Sequence, residues 1–62
     1  MSILIKESIK RMPTEGLFVF MEDIQNRIGS HVAQSNVPDT NYIDYQRHLF
    51  DLAAAELELR LR

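Results

Sequence analysis

The sequence predicts an all-α fold: a helical hairpin with a short N-terminal segment, two chains of which combine into a four-helix bundle. Three observations carry this reading. Leu17, Met21, Ile24, Ile28 and Val32 recur at spacings of four, three, four and four, which places them on one stripe of a helix. Residues 40–61 read as a second helix whose apolar surface covers more than half its circumference, well beyond the ~100° stripe that one neighbour needs. The chain has 62 residues and no cysteine, so a single small core must be completed by something other than a disulfide. Metal ligands are few, which leaves a partner chain.

The whole of residues 1–62 reads as one small domain. Its first part, residues 1–12, is short and basic. Ile5, Ile9 and Met12 fall at helical spacing, Ser2 can serve as a cap, and Glu7 stands four residues before Arg11 in the favourable order. The run Ile3-Leu4-Ile5 also suits an edge strand, so helix and strand both remain open there. Met12-Pro13 closes the segment, because the residue before proline is pushed out of helical geometry.

The hairpin's first helix spans residues 13–36. Pro13 suits its first turn and Glu15 its positive end. Asp23 and Arg27 form an i,i+4 pair away from the apolar stripe. Gly29-Ser30 marks a position where the helix can end or bend. Residues 17–21 also favour a strand, but the stripe's continuation to Val32 decides for helix.

Residues 37–41 form the turn. Asn36-Val37-Pro38-Asp39-Thr40-Asn41 is dense in turn and cap residues. The second helix, residues 40–61, starts on a cap drawn from Asp39, Thr40 or Asn41 and ends on Arg60 and Arg62, which suit its negative end. Arg47–Asp51, Glu56–Arg60 and Glu58–Arg62 are possible i,i+4 pairs. Leu52, Leu59 and Tyr45 lie on one flank; Ile43, Phe50, Ala54, Leu57 and Leu61 lie on the other; Leu49, Tyr42 and Ala53 lie between. Asp44, Arg47, His48, Asp51, Glu58 and Arg62 form the solvent face. Tyr42, Tyr45, Leu49, Phe50, Leu52, Ala53 and Leu57 are accordingly the residues expected to drive self-association, most simply as a dimer.

Charge is unevenly placed. Residues 1–12 set Lys6, Lys10 and Arg11 against Glu7, while residues 13–62 hold four arginines against eight acidic residues. The acidic majority opposes a broad footprint on nucleic acid. Lys6, Lys10 and Arg11 are the only concentrated positive charge, and a dimer doubles them.

Enzymatic chemistry is not expected. Asp44, His48 and Asp51 share a helix face and could in principle ligate a metal or act as a base. A structural metal wants four ligands and a base wants a pocket. A solvated, charge-steadied face is the simpler reading, and His31 reads as a boundary residue beside the stripe. The two glycines stand thirteen residues apart, so no phosphate-cradling loop exists. No cofactor or metal is therefore expected. The longest apolar run, Leu17 to Met21, cannot span a bilayer. The expected location is the cytoplasm, with no membrane involvement; Ile3-Leu4-Ile5 with Lys6 and Lys10 offers little anchoring area.

Function is expected to rest on binding: a small regulator, inhibitor or adaptor acting through another protein. Phe18 and Val19, apolar but off the stripe, are the expected partner contacts. Gly29 and Ala33 lie on the flank of Phe18 and could admit a close helix. The alternative is a dimeric nucleic-acid-binding regulator that uses Lys6, Lys10 and Arg11.

The helix register makes one test available at once. Leu49→Ala, at mid-arc, should cost about 2–5 kcal/mol, whereas Arg47→Ala on the polar face should cost less than about 0.5 kcal/mol. Thermal denaturation compares the two, and equal melting temperatures would show the register to be wrong.

Overall fold

The computed structural model describes residues 3–62. They form three helices: α1 (Ile3–Arg11), α2 (Thr14–Gln34) and α3 (Thr40–Arg60). The chain is thus all-helical, but it is a three-helix arrangement and not a bare hairpin. Helix, not strand, holds from Ile3, because Ile5, Ile9 and Met12 find an apolar surface to cover. The proposed cap Ser2 lies outside the described residues.

The boundaries shift slightly from those expected. Pro13 stands at the N-cap position, not inside the first turn of α2, and its carbonyl accepts from Leu17 N–H at 3.0 Å. No break occurs at Gly29-Ser30; α2 continues to Gln34 and ends at Ser35 in extended backbone. Ile24 and Ile28 before Gly29 and the His31 bond to the Asp39 N–H after it hold the helix through a residue that costs roughly 1 kcal/mol, whereas Val32, the last residue of the expected stripe, is exposed. At the other end, α3 stops at Arg60, with Leu61 as its C-cap.

All three helices meet at one cluster. Ile9 of α1, Leu17 of α2, and Ala53 and Leu57 of α3 are buried together, with Ile5, Met12, Phe20, Met21 and Leu52 packed around them. Farther along the hairpin, Ile24 and Leu49 are buried as well. The small side chain of Ala53 stands at this crowded point and is fully covered.

Helix α1 lies across one side of the α2–α3 hairpin. Ile5, Ile9 and Met12 face Phe20 and Leu49 around a small apolar recess. On its other edge, α1 meets Leu52, Ala55 and Leu59. The end of α1 is held by Arg60. Its Nη2 donates to the Lys10 carbonyl at 2.9 Å, and its Nη1 donates to Thr14 Oγ1 at 3.3 Å. Its Nε is paired with Glu56 at 2.9 Å. Lys10 O is one of the last carbonyls of α1, which have no partner inside the helix. One guanidinium thereby satisfies an orphan acceptor and joins the end of α3 to the end of α1 and the start of α2.

Of the side-chain pairs expected on helical spacing, Asp23–Arg27, Glu56–Arg60 and Glu58–Arg62 form, at 2.6, 2.9 and 3.7 Å. Glu7–Arg11 and Arg47–Asp51 are not among the ion pairs of the described residues.

One buried group had no signal in the apolar pattern. Gln46 is 5% exposed, on the inner side of α3, and its Oε1 has no hydrogen-bond partner among the described residues. An unpaired buried acceptor costs about 1–3 kcal/mol. Gln46→Met, similar in shape and without that acceptor, should therefore stabilise the chain by about 1 kcal/mol or more. Urea denaturation measures this, and a lower midpoint for the variant would show that the amide makes an interaction the fold needs.

Candidate interaction surface

The turn sets how the hairpin's outer side is presented. The Asp39 N–H donates to His31 Nε2 at 2.9 Å, which requires the neutral ring with its proton on Nδ1. The His31 ring also packs on Tyr42, with centroids 4.7 Å apart and planes tilted by 40°. Asp39 in turn caps α3: its Oδ1 accepts from Asn41 N–H at 3.0 Å and Tyr42 N–H at 3.3 Å. His31 is thus a fastening between the end of α2 and the start of α3, a role that helical spacing alone did not reveal.

With α1 on one side of this hairpin, the opposite side is left uncovered. Phe18, Gln25 and Val32 repeat every seven residues on α2, and Ile43 and Phe50 do so on α3. A spacing of seven is close to two helical turns, so each set keeps to one side of its helix. Phe18 is 54% exposed and Val32 49% exposed, while Ile28, Ile43, Phe50 and Ala54 are half-buried. Gln25, Ile28, Arg47, Phe50 and Asp51 line a shallow groove between the two helices. On the same flank of α2, a Cβ added at Gly29 would stand in open space.

The residues expected to drive self-association separate into three groups. Leu49, Ala53 and Leu57 are buried within the chain's own interior. Tyr42, Phe50 and Leu52 are half-buried, with Leu52 beside α1, and Tyr45 is 44% exposed. The wide apolar arc of α3 is therefore largely occupied inside one chain, because α1 takes one flank and α2 the centre. Leu59 and Leu61 remain exposed at the end of the helix.

Phe18 and Val19 do not share a surface. Phe18 belongs to the uncovered side. Val19, 67% exposed, lies on the other side of α2 at the rim of a groove with Met12, Gly16, Phe20 and Asp23. Lys6, Lys10 and Arg11 are all exposed. Lys6 and Lys10 border the groove floored by Ile9, Leu52 and Leu59, and Arg11 does not. Asp44, His48 and Asp51 are exposed, and among the described residues no group of three or more histidine and carboxylate side chains is placed to hold a metal. No described helix is long and apolar enough to cross a membrane.

No protein-family model matches this chain, and no curated protein or solved structure is significantly similar to it.

The fastening at the turn is open to measurement. His31→Phe keeps a ring against Tyr42 but removes the acceptor for Asp39 N–H, and should cost about 1 kcal/mol in chemical denaturation. Asp39→Ala should cost about 0.5–2 kcal/mol through loss of the α3 cap. Wild-type stability in both variants would mean that the turn does not hold the hairpin.

Proposed function

We propose that this chain is a small cytoplasmic binding protein, a regulator, inhibitor or adaptor, that acts by protein–protein contact and not by catalysis. One observation supports this above the others: the described residues leave an outer side of the hairpin on which exposed Phe18 and Val32 of α2 stand with half-buried Ile43 and Phe50 of α3 around a groove edged by Gln25, Arg47 and Asp51. Isolated exposed apolar residues are ordinary, whereas a contiguous apolar side on a small protein marks an interaction surface. Aromatic residues such as Phe18 and Phe50 suit the role of anchors.

A second reading, a dimeric nucleic-acid-binding regulator, draws on the exposure of Lys6, Lys10 and Arg11, none of which is in an ion pair among the described residues. Against it stands the net charge of −2.

The two readings diverge in one experiment. A photo-crosslinking phenylalanine analogue at position 18, expressed in the native host, should yield a discrete adduct with a protein chain, whose mass identifies the partner. That adduct should be lost with Val32→Glu and kept when Lys6, Lys10 and Arg11 are all changed to Ala. If instead the purified protein binds generic DNA or RNA in a mobility-shift assay, steeply weakened by salt and abolished by the triple change, the nucleic-acid reading replaces the first.

A further inference from the structure

We infer that the uncovered side of the α2–α3 hairpin is occupied by a second copy of this chain, related by a two-fold axis that passes near Phe50. The inference rests on the binding role proposed above and names one partner for that surface.

Shape and area are the first argument. The chain measures 40 × 22 × 16 Å, a slab with a radius of gyration of 12.6 Å. A compact chain of 62 residues has a radius of about 11 Å. Its accessible surface is 4687 Å², whereas a compact 7.2 kDa monomer exposes roughly 4,100 Å². The excess is about 600 Å² per chain. Burying it on two copies removes about 1,200 Å², the lower end of what specific interfaces bury. Among the described residues only two large side chains, Leu17 and Ile24, are fully buried, so a shared second layer supplies interior that one copy lacks.

Charge is the second argument. Arg47 and Asp51 flank Phe50 at the groove, both exposed, and they form no ion pair with each other. In a two-fold interface the same patch meets itself, so that a residue contacting a second is contacted by it in return. A pair of opposite charges one helical turn apart, astride the axis, is complementary to its own copy in antiparallel register. Arg47 of each copy then meets Asp51 of the other beside Phe50, while Phe18 and Val32 of α2 face their counterparts along the rest of the interface. Two antiparallel hairpins stacked in this way make a four-helix bundle, with each α1 on the outside.

Sedimentation equilibrium from low to several hundred micromolar tests the assignment on the full chain. The wild type should reach twice its monomer mass. Arg47→Asp or Asp51→Arg alone brings like charges together across the axis and should weaken the dimer by about tenfold or more, while the double exchange R47D/D51R should restore it to within about threefold. Val32→Glu should also dissociate the dimer. All of these positions are exposed or half-exposed, and circular dichroism should show unchanged helicity. A monomer at every concentration overturns the inference, as does a dimer indifferent to both single exchanges and to Val32→Glu. The binding reading is judged separately by the adduct at position 18: an adduct of twice the chain's own mass supports both, one of another mass keeps the binding reading and overturns the second copy, and no protein adduct overturns the binding reading.

Discussion

Ile9, Leu17, Ala53 and Leu57 form the one place where three helices share an interior, and the arrangement of every other residue follows from it. Ala53 lets the helices close on this point, because a larger side chain there would hold α1 or α2 away from α3. Once that junction is made, α1 must lie on one side of the hairpin. The other side is then left bare. Core and outer surface are consequences of the same packing choice.

The helices were legible in the sequence because their signals agree. The stripe from Leu17 to Val32 matches the helical period, and Asp39 is a cap by both its residue type and its position. The charges at Glu56, Glu58, Arg60 and Arg62 fall at the spacing that the structure uses. Local propensity, periodicity and capping point the same way through α2 and α3. The first segment was ambiguous because three adjacent apolar residues satisfy a strand as well as a helix. Only the surface offered by Phe20, Leu49 and Leu52 decides between them.

What the sequence did not reveal is which neighbour each apolar flank meets. The breadth of the arc on α3 was plain, but a helical wheel does not distinguish burial against α1 from burial against a second chain. Leu49, Ala53 and Leu57 therefore read as association residues, although their own chain covers them. Gln46 escaped notice because a lone glutamine carries no periodic signal. His31 read as a boundary residue because its partner, the Asp39 N–H, is a main-chain group that no residue type announces.

The bond from Arg60 to α1 ends on a main-chain carbonyl, not on the lysine side chain of the same residue. Any amino acid at position 10 presents that oxygen. This bond is therefore indifferent to the side chain at the acceptor position and depends on the donor, while the packing of Ile5, Ile9 and Met12 holds the rest of α1. Lys10 can drift to a neutral or acidic residue, bringing the net charge of α1 down toward zero, without removing this bond. The basic character of the first helix and its place in the fold are in this respect separately heritable.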